Sequence, residues 1–169
     1  MAKNCELCAV KVLGSSGSGS WSGIIDGLEH VVDHCQQHWA GEGLSNYDGP
    51  GMKCVANMSI GGGRSDTLNR AVRNAADAGV VVVVAAGNDN DNACQYSPAM
   101  VPEAITVGST SHSNGYEARS SFSNYGSCVD VYAPGSDIKS AGRYSRSDTD
   151  TKSGTSMASP RKCCILFSS

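Results

Sequence analysis

The run Val80-Val81-Val82-Val83-Val84-Ala85-Ala86 constrains this chain more than any other stretch. A strand with one wet face alternates apolar and polar residues, and this one does not alternate. Both of its faces must therefore be covered, the situation of a strand inside a parallel sheet. At seven residues it is also far short of the ~20 that a membrane-spanning helix needs, and no longer apolar run occurs in the chain.

The segments around it fit the same architecture. Residues 9–13 read as a short strand, followed by a Gly/Ser loop over 14–20. A helix pattern then places Ile24, Leu28, Val31, Val32, Cys35 and Trp39 at spacings of three and four, with Ser20 or Ser22 as its N-cap. Residues 55–60 read as a strand that turns at Gly61-Gly62-Gly63. A second helix carries Leu68, Ala71, Val72, Ala75 and Ala76 on one face, with Ser65 or Asp66 as its cap and Gly79 at its end. Residues 104–107 and 129–132 are further short strands. Alternating strands and helices predict an α/β layered fold with right-handed crossovers. Residues 154–160 open a further helix, and residues 161–169 show no amphipathic period.

Length and composition narrow the function. The 169 residues correspond to about one domain. Net charge is −3, so nucleic-acid binding or a basic membrane anchor is not expected. Eight cysteines suit an oxidising compartment, although the first residues lack the apolar stretch of a secretory signal. Cys5 and Cys8 have C-x-x-C spacing without a second pair at zinc-site distance, so a structural zinc is not expected. His30, His34 and His38 lie one helical turn apart and are read as the half-exposed face of the first helix.

Two segments carry chemistry. In Gly154-Thr155-Ser156-Met157-Ala158-Ser159-Pro160, a serine flanked by small residues stands at a helix start. There its hydroxyl is exposed and backbone N–H groups converge. In Ala85-Ala86-Gly87-Asn88, an asparagine follows the buried strand at its carboxyl end, where open α/β sheets bind ligands. Its amide can donate to a developing negative charge. A helix cap and a turn residue are the plainer readings of the two positions.

Taken together these motifs resemble the subtilisin-like serine proteases, most closely the proteinase K branch, over residues 1 to about 160. The resemblance implies a three-layer fold and acyl transfer, with Ser156 as nucleophile and Asn88 as the oxyanion donor. It places Ser59, Ile60 and Gly61 on the strand edge that pairs with substrate backbone, and Gly19 and Trp21 on the opposite edge. Ala85, Ala86 and Gly87 become the small walls of a roomy, apolar first pocket. Tyr96-Ser97-Pro98-Ala99 and the segment Ser121-Phe122-Ser123-Asn124-Tyr125-Gly126 belong to the same resemblance. Cys94 and Cys128 correspond to a bridge of secreted relatives, whereas Ser15 stands where another bridge would have its cysteine. Cys35 and Cys54 are a second candidate pair that nothing in the sequence fixes. Asp130 with the carbonyls of Pro102 and Ala104 matches a Ca²⁺ site, and no organic cofactor is implied.

The family order is Asp, His, Ser, and no histidine here sits in the family's histidine motif. Both missing groups are expected upstream of Met1, and residues 161–169 depart from the family pattern after Pro160. The chain is thus read as an incomplete catalytic domain, 1–160, with a tail, inactive as written. The parent is expected to be a secreted monomer acting on extended polypeptide, with an inhibitory propeptide and no nucleic-acid or membrane partner. Two other classes compete: a binding module that keeps the peptide cleft without turnover, and a nucleotide-binding protein suggested by Gly61-Gly62-Gly63. The second lacks both phosphate-loop patterns.

Overall fold

The computed structural model describes residues 7–39, 54–113 and 115–166. Cys5 and the side chains of His38, Trp39, Cys163 and Cys164 lie outside the described residues. The valine run forms β3 (Val81–Ala85), flanked in parallel by β1 (Val55–Met58) and β5 (Ile105–Ser113). The register pairs Val55 with Val81 on one side and Val83 with Ile105 on the other. β7 (Val131–Pro134) adds to β5 in parallel, and β6 (Tyr116–Arg119) pairs antiparallel with the distal half of β5. This is the mainly parallel α/β sheet that the sequence implies.

Successive strand side chains point to opposite faces, so the valine run feeds two cores. Val82 and Val84 pack with Ile24 and Leu28 of α1 (Trp21–Trp39) and Leu68 and Val72 of α2 (Asp66–Asp77). Val83 packs on the other side with Val107, Ala133 and Ala158, the last from α3 (Thr155–Leu166). Val82, Val83 and Val84 are 1%, 0% and 0% exposed, so a polar side chain at any of these three positions would be cut off from water. Each valine so buried contributes about 1.5–3 kcal/mol of transfer free energy.

Local chemistry sets the helix starts. Ser20 Oγ accepts the Gly23 N–H at 3.2 Å, and Ser65 Oγ accepts the Leu68 N–H at 3.3 Å. Each satisfies one of the donors a helix leaves open at its first turn. The crossover from β1 to β3 runs through the β2 strand (Gly62–Gly63) and α2. β2 pairs antiparallel with β4 (Tyr96–Ser97).

Several expectations need correction. Residues 9–13 are not a strand. Among the described residues no strand lies beside them to complete a ladder, and Val12 and Leu13 instead pack on the α1 side of the core. The 55–60 strand stops at Met58, the 104–107 strand continues to Ser113, and the 129–132 strand is shifted to Val131–Pro134. Sequence reading missed β6 and the β8 (Ile138–Ala141) and β9 (Thr149–Lys152) hairpin, whose residues are largely exposed and polar. Residues 161–166 are helical despite their lack of an amphipathic pattern, because α3 is continuous through Pro160.

Candidate active site

Both chemistry-bearing segments emerge at the same end of the sheet. Ser156 lies in the first turn of α3, and Asn88 follows β3 by three residues. They line one groove of ≈ 410 Å³ together with Ser59, Ile60, Gly61, Ala85, Ala86 and Gly87. All the residues assigned to the first edge and the pocket walls are therefore brought together. Gly19 and Trp21 are not on its lining. A Cβ on Gly19 would stand 2.5 Å from the Val12 carbonyl oxygen, and the Trp21 ring lies against Gly62, 2.9 Å from where a Cβ would be. Trp21 thus packs against the Gly62 edge, itself part of the groove lining.

The orientation of Asn88 follows from its partners. Its Oδ1 accepts the Thr155 backbone N–H at 2.8 Å and the Thr155 hydroxyl at 2.9 Å. A backbone N–H can only donate, so the amide oxygen must occupy that position. Nδ2 is left as the amide's outward donor, 3.6 Å from the Cβ position of Gly154, with no acceptor among the described residues. Thr155 Oγ1 in turn accepts the Gly87 N–H at 3.2 Å. The side chain of one residue thereby ties the asparagine loop to the helix start.

The loop has a second support. Gly87 has φ +105°, and a Cβ there would stand 2.3 Å from Nδ2 of Asn124, so only glycine fits. Asn124 is completely buried. Its Nδ2 donates to the Ala86 carbonyl at 2.9 Å, and its Oδ1 accepts the N–H groups of Asp89 at 2.9 Å and Asp91 at 3.1 Å. Beyond this, the segments run side by side to the Cys94–Cys128 disulfide, with Asn90 N–H on the Phe122 carbonyl and Ala93 N–H on the Tyr125 carbonyl. The Cys35–Cys54 pair is also a disulfide, which settles the alternative that the sequence left open, and Cys8 is an exposed free thiol.

Ser156 Oγ donates to the Ser59 carbonyl at 3.1 Å. Among the described residues neither an imidazole nor a carboxylate is hydrogen-bonded to it. Its backbone carbonyl is also unusual. Pro160 has no N–H to return to it, so the helical bond from i to i−4 is missing at this point. Ser59 Oγ supplies the missing donor at 2.9 Å and is itself within 2.8 Å of Ser159 Oγ. Because the one Ser59 proton goes to the carbonyl, Ser159 must be the donor in the second contact.

Asp89 and Tyr96 also line the groove, and sequence reading passed over both as site residues. Asp89 puts a carboxylate oxygen 3.6 Å from the Cβ position of Gly87, so the wall is not purely apolar. The Tyr96 hydroxyl donates to Asp91 Oδ2 at 3.2 Å. Its pKa is raised by burial first, then by the Asp89 charge and by the hydrogen bond and charge of Asp91. The available signal was adjacency: Asp89 and Asp91 follow Asn88 within three residues.

Asp130 lies away from the groove. Its Oδ2 accepts the Thr106 N–H at 2.7 Å, and its own N–H donates to the Thr106 carbonyl at 3.0 Å. The carboxylate is thereby fixed with Oδ1 uncommitted. A carboxylate oxygen left free in this way is the kind of hard donor that Ca²⁺ takes. Among the described residues no cluster of three or more His, Cys, Asp or Glu side chains exists to hold a metal by side chains alone. Nor is any described helix long and apolar enough to cross a membrane.

Comparison with known proteins agrees with this geometry. The chain is 51% identical over 163 residues to "Alkaline serine exoprotease A" of Vibrio alginolyticus, covering 95% of this chain and 26% of that protein. It is 50% identical over 160 residues to "Extracellular serine proteinase" of Thermus sp. (strain Rt41A), covering 95% and 35%. A "Subtilisin-like serine protease Rho m 2.0101" of Rhodotorula mucilaginosa is 49% identical over 166 residues, covering 98% and 46%. The chain thus spans about a quarter to a half of the length of these relatives. Among solved structures, a cold adapted subtilisin-like serine proteinase matches with TM-score 0.74 and 47% identity, over 92% of this chain and 50% of the other. The family described as Peptidase_S8, the subtilases, matches residues 1–164, and the chain belongs to that family.

Proposed function

We propose that this chain carries the nucleophile and the oxyanion donor of a secreted, subtilisin-type serine endopeptidase acting on extended polypeptide. The observation that carries the reading is the fixed Asn88 amide, whose Oδ1 is consumed by Thr155 so that Nδ2 is presented in the groove that also holds Ser156. In the acylation step Ser156 Oγ forms a bond to the peptide carbonyl carbon, and the carbonyl π pair moves onto oxygen. Asn88 Nδ2 and the Ser156 N–H then hold that oxyanion. The hydroxyl proton must pass to a general base and from it to the leaving nitrogen, as the oxyanion pair re-forms the carbonyl and the C–N bond breaks. Loss of one oxyanion donor costs ~10²–10³ in rate, a magnitude measured in subtilisin, a family relative, and not worked from this chain.

The Ser59–Gly63 edge would receive the substrate backbone as an added strand. Occupation of the Ser156 hydroxyl by the Ser59 carbonyl, which is no base, favours binding without turnover in this chain by itself. A peptide boronic acid tests the reading, because boron accepts an electron pair from Ser156 Oγ and becomes a tetrahedral anion. The chain should bind it, Asn88→Ala should weaken binding about 100-fold, and Ser156→Ala should remove the covalent adduct. Equal binding by wild type and Asn88→Ala would overturn the assignment.

Calcium is the cofactor this reading includes, held by the Pro102 and Ala104 carbonyls and Asp130, where it would brace the start of β5. Saturating Ca²⁺ at 100 times its dissociation constant should add about 2.7 kcal/mol to stability. The rise in melting temperature should be absent in Asp130→Asn, which keeps an acceptor for the Thr106 N–H. An equal rise in that variant would move the site elsewhere.

A further inference from the structure

We infer that Asn124 is a positioning residue for Asn88, acting from behind the groove without touching substrate. The inference rests on the reading of Asn88 as an oxyanion donor and adds the part that aims it. Asn124 holds both flanks of Asn88 with one side chain: the Ala86 carbonyl before it, and the Asp89 and Asp91 N–H groups after it. The Asn124 backbone N–H also donates to the Gly87 carbonyl at 3.0 Å. Four polar backbone groups of one short loop are therefore satisfied by one fully buried residue.

Only a carboxamide can do this, since the site needs a donor toward Ala86 and an acceptor toward Asp89 and Asp91. Asp supplies the acceptor alone, and Ala supplies neither. Asn88 itself stands clear of Asn124, and its side chain is bonded to Thr155 on the far side of the turn. The turn is thus clamped between two supports, with Thr155 setting the rotation of the amide and Asn124 setting where the loop carries it.

The Thr155 N–H provides a readout separate from the Asn124 contacts, because it bonds Asn88 Oδ1 and not Asn124. Hydrogen exchange by NMR on the full chain should show protection of the Thr155 amide falling at least tenfold in Asn124→Ala, with Val83 in the core little changed. Asn124→Asp should give a smaller loss and guards against a variant that does not fold. Boronate affinity supplies the second readout. Asn124→Asp should weaken it about tenfold in the wild-type background and not at all in Asn88→Ala, since coupled residues are non-additive.

Equal weakening in both backgrounds, or unaltered Thr155 protection in both variants, would overturn the inference. If the wild-type chain takes up no boronate, the peptidase reading fails. The Thr155 measurement then still decides whether Asn124 aims Asn88.

Discussion

Removing the Cys94–Cys128 bridge is the perturbation whose magnitude the structure fixes most directly. The two residues are 34 apart in sequence, whereas Cys35 and Cys54 are 19 apart. In the chain-entropy account, a cross-link stabilises by restricting the unfolded ensemble, more so for the longer loop. That gives about 3.8 kcal/mol for the first bridge and about 3.2 kcal/mol for the second. Cys94→Ala with Cys128→Ala should therefore lower stability by about 3.8 kcal/mol. At about 2–4 °C per kcal/mol for a chain of this size, the melting temperature should fall by about 8–15 °C.

The assay is urea unfolding by circular dichroism without reductant, run on both bridge-deleted variants. The longer-loop deletion should be the more costly by about half a kcal/mol, and the dependence on urea should steepen because the uncross-linked unfolded chain exposes more surface. The native segments stay joined without the bridge, since Asn90 N–H bonds the Phe122 carbonyl and Ala93 N–H the Tyr125 carbonyl just before it. A loss below about 1 kcal/mol with an unchanged urea dependence would refute the entropic reasoning for this loop.

Gly87→Ala should cost about 3–5 kcal/mol, summed from its left-handed backbone and the displaced Asn124 hydrogen bonds, as read by thermal melting. A cost under 1 kcal/mol would show that the turn can relax. Tyr96 should ionise above the usual tyrosine value of 10.0, so ultraviolet titration should lose its highest-pH component in Tyr96→Phe. Its proton is held more tightly in the folded chain, so the associated stability is present at neutral pH and is lost as pH rises above 10 through the folded value. Stability that rises over that alkaline range in wild type relative to Tyr96→Phe would contradict this sign.

How much was legible in the sequence depended on whether burial left a periodic trace. The valine run and the two helices were readable because a covered strand and an amphipathic helix must show their burial pattern. β6, β8 and β9 were not, because Tyr116–Arg119 and Thr149–Lys152 are exposed at all their positions and are paired through backbone groups alone. Residues 9–13 misled in the opposite way: Val10, Val12 and Leu13 have strand-like composition, but a ladder needs a neighbour and composition does not supply one. At the groove, Ser156 and Asn88 were legible from local motifs. Asn124 was quoted only as part of a family segment, because its role depends on a contact 38 residues away with the Ala86 carbonyl. The contact of Trp21 with Gly62 was hidden for a related reason, since it joins residues 41 apart in the chain.

The proline of α3 leaves regularity and precision in competition. Replacing Pro160 by alanine would restore a helical partner for the Ser156 carbonyl and perfect the first turns of the helix, yet it would release the Ser59 hydroxyl that now ties that carbonyl to the strand edge. A variant selected only for heat resistance could settle into such a repair while Ser156 lost its tie to the strand edge. The defect in the helix is what anchors Ser156 to a different part of the chain.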